Sequence, residues 1–395
     1  MRILFLTWNF PPNVGGIEYL ISNLWSGLRA RGHELDVVTS HAARTGPDEP
    51  GVHRSPVRGL AGFVAYSLLR GFRQCAGRRP DVILCGSVVS APAGWLMSRL
   101  FRRPWALISY GSDVVHGGRL YQRAVRFLFR RADLLLPIST HTASLLETAG
   151  AQAGRMTIIP PGVKTDAFRA PPSPRDPEVA RRVEGRQVLL SVGRLIPRKG
   201  IRPFVEHALP ELARRFPDIL LVIIGEDARE SLIHRGGGSV RGQIEQAVAS
   251  RNLGRHVIMA GKVPDGRLLQ WYYSAHVFIL PVIDIPGDTE GFGIVFSEAA
   301  LAGIPIVASR SGGVVDAVED GVSGLLVPPG DYPAMVEAIS SLLRDEPRRL
   351  HMGRAAGERA CRLFSWDTVV PQYEKALFAL SGRGGVQPRV DHPHP

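Results

Sequence analysis

The chain reads as an α/β protein built from two doubly wound parallel sheets, and three observations predict it. Short apolar runs alternate with amphipathic helical stretches along nearly the whole sequence. The alternation is interrupted at RAPPSPRDPE (169–178), where four prolines and several charges mark a linker, and then it starts again. The length of 395 residues exceeds what one core ordinarily serves and suits two domains.

The first run, RILFLTW, has the pattern of a buried strand. After NFPPNVGG a helix from about Ile17 to Arg31 places Ile17, Leu20, Ile21, Leu24 and Leu28 on one face, and HELDVVTS returns as a strand. This βαβ unit continues through DVILCGS, PWALISY, ADLLLPIS and MTIIPPG, so residues 1–170 are expected to form the first domain. Residues 171–178 are the linker. Residues 179–364 form the second domain, with strands QVLLSVG, ILLVIIG, HVIMAG, HVFILPV and PIVAS. A helix at about 365–380 is expected to pack back onto the first domain, RESLIHRGGGSVRGQ reads as a loop insertion, and 381–395 as a disordered tail. Two such domains face a cleft at the carboxyl ends of their strands, the usual ligand position in open α/β sheets.

Composition excludes several classes. Cys75, Cys85 and Cys361 are an odd count without CxxC spacing, which suggests neither a disulfide framework nor a zinc site and fits a reducing compartment. The apolar run at the amino terminus is too short for an export signal, and no stretch of 18 apolar residues occurs, so a cytoplasmic protein is expected, soluble or peripheral on the inner face of the plasma membrane. The net charge of +12 is uneven: residues 1–170 hold 21 Lys plus Arg against 10 Asp plus Glu, and the remainder 27 against 26. Such asymmetry points to an anionic partner for the first half. RLYQRAVRFLFRRA (119–132) sharpens this, because Arg119, Arg123, Arg126 and Arg130 form one helical stripe beside Leu120, Phe127 and Leu128. Such a helix can lie on anionic lipid; the competing reading is a core-packed helix with a solvated arginine face. The aromatic and basic interleaving of RNA modules is missing, so no nucleic acid is expected.

Three motifs carry chemistry. In NVGGIE (13–18), Gly15 and Gly16 open a helix after the first strand, and a helix amino terminus favours an anion such as phosphate. The loop lacks GxGxxG and a closing acid, which rejects a nicotinamide cofactor. SVGRLIPRKG (191–200) plays the matching part in the second half, with Arg194 and Lys199 suited to a diphosphate whose charge grows as it leaves. EGFGIVFSEA then brackets two glycines, Gly291 and Gly293, between Glu290 and Glu298. Carboxylates accept paired hydrogen bonds from vicinal hydroxyls, so one before the turn and one after it can hold two polyols joined by a diphosphate. A nucleotide sugar has that layout.

With GGIEYLISNLWSGLRARGHELDVVT, GSD (111–113), IPPGVKTDAF, SVGRLIPRKG, GKVPDGRLLQWYYSAHVFILPV, EGFGIVFSEAALAGIPIVAS and GLLVPPGD, the chain resembles the retaining glycosyltransferases of family 4 over almost its whole length. The resemblance implies a GT-B fold of two Rossmann-like domains and transfer of a hexose from a nucleoside diphosphate sugar to a hydroxyl acceptor, such as a lipid-linked or phosphorylated saccharide used in envelope or exopolysaccharide synthesis. It implies that Glu298 binds the ribose hydroxyls, Glu290 approaches the donor hexose, and Arg194 and Lys199 bind the diphosphate. Gly16 would meet that diphosphate, backbone amides at Phe292, Gly293 and Ile294 the sugar and phosphate, and backbone near Gly261, Lys262 and Val263 the base. The catalytic set is then Glu290, Arg194, Lys199 and Asp113.

One departure is Tyr110 where many relatives carry histidine; His116 is a nearby substitute. DTE (288–290) resembles a metal-binding acid pair, but with Arg194 and Lys199 available for the phosphates no metal or other cofactor is expected. The alternatives are another GT-B enzyme, such as a sugar-nucleotide epimerase, or a non-catalytic polyanion-binding protein.

Overall fold

The computed structural model describes residues 1–13, 15–42, 49–115, 117–173, 176–227 and 239–382. The chain divides into two compact units, one made of Met1–Gly162 with Trp366–Pro395 and one of Val163–Ser365.

Unit 1 holds strands β1 (Arg2–Thr7), β2 (Glu34–Thr39), β3 (Val52–Arg54), β4 (Val82–Cys85), β5 (Trp105–Ser109) and β6 (Leu134–Pro137). They form one parallel sheet in the order β3-β2-β1-β4-β5-β6. Its helices are α1 (Gly16–Ala30), α2 (Leu60–Arg78), α3 (Ala91–Phe101), α4 (Ser112–Val115), α5 (Arg119–Arg131) and α6 (Thr140–Thr148). The crossovers through α2, α3 and α5 all progress in one direction across the sheet, whereas α1 connects β1 to β2 in the other. Right-handed crossovers therefore place α2, α3 and α5 on one face and α1 on the opposite face.

In unit 2, strands β7 (Gln187–Val192), β8 (Ile219–Ile224), β9 (Val257–Gly261), β10 (Val277–Leu280), β11 (Ile306–Ser309) and β12 (Gly324–Val327) form a second parallel sheet, ordered β12-β11-β10-β7-β8-β9. The helices are α7 (Pro177–Val183), α8 (Ile201–His207), α9 (Leu209–Arg215), α10 (Val240–Ser250), α11 (Asp265–Ser274), α12 (Ile294–Leu301), α13 (Val314–Ala317), α14 (Tyr332–Arg344) and α15 (Glu346–Phe364). Central strands of both sheets are buried along their length, as parallel strands covered by helices on both faces must be.

The last helix, α16 (Trp366–Leu380), packs on α1 within unit 1. Glu374 fastens it: its carboxylate meets Arg31 Nη2 at 2.6 Å and His33 Nε2 at 2.7 Å, and the Met1 amino group lies 3.0 Å from His33 Nδ1.

Three readings of the sequence need correction. Residues 163–170 lie with unit 2, because Val163 N–H donates to the Phe364 carbonyl at 2.7 Å and the Phe168 ring packs against Tyr272 and Tyr273. The prolines at 171–178 include the start of α7, where Asp176 accepts from the Glu178 and Val179 amides and Pro177 occupies the first turn. MTIIPPG is not a strand: Thr157 and Ile159 donate to Leu135 and Pro137 alongside β6, and Pro160 and Pro161 then lack the N–H groups to continue. Residues 229–238 of the supposed loop insertion and the tail from residue 383 lie outside the described residues, while the end of that insertion is helix, with Ser239 capping α10 and Val240–Gln243 forming its start.

Candidate functional site

The carboxyl ends of β7, β8 and β9 are joined through glycines. Gly193 N–H donates to Ile224 O at 2.9 Å and Gly225 N–H to Gly261 O at 2.9 Å. Arg194 follows Gly193 and is exposed; Lys262 next to Gly261 is exposed, and Val263 is half-buried. After Arg194 the chain makes a tight turn, Pro197–Lys199, that ends at Gly200. Gly200 has φ of 68°, and a Cβ there would stand 1.8 Å from the Pro281 carbonyl oxygen, so only glycine lets this turn close against the exit of β10.

That turn buries two cations. Lys199 and Arg198 are each 8% exposed, and Glu290 is 6% exposed. Lys199 Nζ donates to Glu290 Oε2 at 2.8 Å. Arg198 forms an ion pair with Asp288 and brings its Nε to 3.4 Å from Glu290 Oε2. Burial pushes the Glu290 carboxyl up, but Lys199, Arg198 and Arg194 together outweigh it and hold the group below its ordinary value. Burial lowers the Lys199 ammonium, and Arg198 and Arg194 add to that against the pull of Glu290. The arrangement is a buried carboxylate kept ionised by cations, with Arg194 open to solvent.

Glu290 is fixed through its backbone as well. Gly313 N–H donates to Glu290 O at 2.8 Å. Gly312 has φ of 56°, and a Cβ there would lie 2.4 Å from the same oxygen, so two glycines cradle the loop. Gly293 caps α12, and Glu290 Oε1 lies 3.6 Å from where its Cβ would be, which sets the carboxylate beside the amino end of that helix. Ile294 begins the helix. Phe292 is buried against Phe364, so its side chain is core and only its backbone is available to a ligand. Glu298 is half-buried on α12 and accepts from Tyr272 Oη at 2.8 Å. Burial raises its carboxyl; the tyrosine bond opposes this and Asp265 adds to it.

Unit 1 is arranged differently. Gly15 and Gly16 do begin α1, but Glu18 turns back over this start: its Oε1 accepts from Asn9 Nδ2 at 2.7 Å, and a Cβ on Gly15 would lie 2.4 Å from its Oε2. The helix amino end thus already has a carboxylate beside it. Asp113 accepts from Ser109 Oγ at 3.0 Å and from the Tyr110 amide at 3.0 Å, so it braces its own loop. Burial pushes its carboxyl up to about 6 against these bonds. Tyr110 is buried and donates to Gly86 O at 2.7 Å, tying the ends of β5 and β4 together. His116 lies outside the described residues.

Arg198, Asp288, Tyr272 and the Gly312–Gly313 pair were not among the expected site residues. Arg198 and Asp288 lie inside the PRKG and DTE stretches, but nothing local shows that they pair with each other. The acid pair in DTE faces Arg198 and Lys199.

The sequence model of the family described as "Glycosyl transferases group 1" matches residues 173–359, and that of the "Glycosyl transferase 4-like domain" matches residues 15–162. A GDP-mannose-dependent alpha-(1-6)-phosphatidylinositol monomannoside mannosyltransferase of Mycolicibacterium smegmatis is 30% identical over 386 residues, covering 93% of this chain and 95% of that one. A glycogen synthase of Mycobacterium tuberculosis is 29% identical, covering 99% and 98%. Among solved structures, sucrose-phosphate synthase from Thermosynechococcus elongatus superposes with a TM-score of 0.80 at 23% identity, covering 97% of this chain and 100% of that one. The two six-stranded parallel sheets of this chain and these relatives together place it in the family 4-type glycosyltransferases of GT-B fold, enzymes that use a nucleotide sugar as donor.

Proposed function

We propose that the protein transfers a hexose, with retention of anomeric configuration, from a nucleoside diphosphate sugar to a hydroxyl of a lipid-linked or phosphorylated saccharide. The observation that carries the donor reading is the pairing of Lys199 with buried Glu290 beside the amino end of α12, with Glu298 on the same helix. In this reading Glu298 accepts the ribose hydroxyls, Glu290 a hexose hydroxyl, and the amides at Phe292, Gly293 and Ile294 meet sugar and phosphate oxygens. Backbone at Gly261, Lys262 and Val263 meets the base. Exposed Arg194 and buried Lys199 take up the charge that grows as the bond from the anomeric carbon to the phosphate oxygen breaks. The acceptor oxygen bonds to that carbon from the same side, and its proton leaves with a phosphate oxygen. These cations make a divalent metal unnecessary, and Asp113 acts by holding its loop.

The acceptor reading is supported by the basic first half and by the mannosyltransferase relative, which acts on a phosphatidylinositol monomannoside. It places the protein in the cytoplasm, against an anionic membrane surface. No helix among the described residues is long and apolar enough to cross a membrane.

The test is a thermal-shift and calorimetric screen of UDP-, GDP- and ADP-sugars, without metal, against wild type and Glu298→Ala. Binding of one nucleotide that the variant weakens at least tenfold supports the donor clamp. Equal binding by both proteins, or none by either, overturns it.

A further inference from the structure

The helices on one face of the unit 1 sheet, α2, α3 and α5, carry nine arginines and no acidic residue. Five of the arginines are on α5. At about 100° per residue, the exposed arc of α5 has Leu120 and Phe127 at its centre, with Arg119, Arg123, Arg126 and Arg130 on one side and Arg131 on the other. Leu120 is 81% exposed and Phe127 40%, while Val125, Leu128 and Phe129 face the core. The expected arginine stripe is therefore present, and two apolar side chains stand outward within its field while Leu128 turns in.

The apolar surface continues across the other two helices through aromatic pairs. Trp95 of α3 meets Phe127 edge-on at 5.2 Å, and the Arg131 guanidinium lies 4.6 Å from the Phe127 ring centre. Leu96 and Leu100 are exposed one turn apart on α3, Leu100 at 58%. Phe101 meets Phe72 of α2 at 5.2 Å, and Phe72 is 50% exposed. At the end of α3, Arg99, Arg102, Arg103 and Arg131 line a pocket of about 520 Å³ together with Asp133, whose carboxylate is engaged by the Trp105 amide at 3.0 Å.

We infer that this three-helix layer is a docking surface for an anionic bilayer. Leu120, Phe127 and Leu100 enter the boundary between headgroups and acyl chains, the arginine stems extend along them to the phosphates, and the pocket takes one headgroup phosphate. Charge complementarity selects the partner: a field in which the arginines far outnumber the nearby acids, Asp133 being held by the Trp105 amide, excludes a basic surface, and the apolar side chains at its centre have no use in a purely ionic contact. The inference extends the membrane half of the proposed function from one helix to three and rests on that half alone; it is independent of the donor.

The experiment is sedimentation of the full chain with vesicles of pure phosphatidylcholine or of phosphatidylcholine with 30% phosphatidylglycerol, at two salt concentrations. The variants are Leu120→Ser/Phe127→Ser and Arg123→Gln/Arg126→Gln, and nucleotide-sugar binding serves as a separate control. Wild type is expected to partition onto the anionic vesicles only, and each double variant to lose at least about tenfold while donor binding is unchanged. Three results overturn the inference: no partition by wild type, a loss with the arginine pair but none with the apolar pair, or a change in oligomeric mass with no change in partition, which would make the face a contact between copies. Failure of donor binding with intact partition would sink the donor reading and leave this one standing.

Discussion

Both units set a row of loops at the carboxyl ends of a six-stranded parallel sheet, yet their charged groups there have different occupations. In unit 2, buried Glu290 and half-buried Asp288 pair with Lys199 and Arg198, on segments about ninety residues apart, as the 91-residue separation of Lys199 and Glu290 shows. In unit 1, Asp113 and Glu18 bond within their own loops, and Tyr110 joins two strand ends. Charge in unit 2 is gathered over long sequence distances into an ordered cluster. In unit 1 it is exposed on the outer helices. The first arrangement suits recognition of a ligand whose charge changes during reaction; the second suits a broad surface.

If the cluster in unit 2 is the functional one, Lys199→Ala should have the largest effect. It removes a cation from the leaving group and leaves Glu290 less compensated, so initial transfer rates should fall about 100- to 1000-fold. A rate within threefold of wild type would break the comparison. Arg198→Met should come next, since it removes the buried cation that pairs with Asp288 and stands beside Glu290, and it should cost about 3 kcal/mol of unit 2 stability in denaturant unfolding. It also removes one of the groups that lower the Glu290 carboxyl, so the acid limb of the pH–rate profile should move to higher pH. Adding Asp288→Asn should recover part of the lost stability, which a double-mutant cycle would measure.

Unit 1 can be tested through Asp113. Its folded-state value of about 6 lies above its unfolded value, so its favourable contribution is complete below about pH 4 and is lost as pH rises through 6. Asp113→Asn should flatten this dependence. Relative to wild type, the variant should gain about 2–3 kcal/mol between pH 4 and pH 8, measured as the change in melting temperature with pH. A parallel pH dependence in both proteins would mean that the carboxylate is not the group responsible. The smallest effect should follow Tyr272→Phe, which deletes one hydrogen bond to Glu298: nucleotide affinity should weaken by about 1 kcal/mol, a factor of about five, in calorimetry.

The two sheets were legible because parallel strands covered on both faces are nearly continuous apolar runs, as in LLVII and LLLP. Val52–Arg54 escaped notice because three residues make no periodic signal, and Gly324–Val327 because GLLVPPGD was read as a family motif rather than as a strand. The prolines near 171–178 misled because a helix start and a linker use the same residues. Within the site, Arg194, Lys199, Glu290 and Glu298 stand in recognisable stretches. Arg198 lies in the same stretch as Lys199, but its role comes from Asp288 and no local pattern links the two. The orientation of Tyr110 was equally illegible, because its partner is a backbone carbonyl on another strand.

Unit 1 is completed by α16, which follows all of unit 2 along the chain. During synthesis its six strands leave the ribosome first, but Arg31 and His33 wait for Glu374, which is made only after the whole of unit 2. Unit 2 is contiguous and can close as soon as it emerges. The unit translated first is therefore finished last, and a chain cut short before Trp366 has all of unit 2 but lacks α16, with the α16-facing side of α1 open to chaperones and proteases.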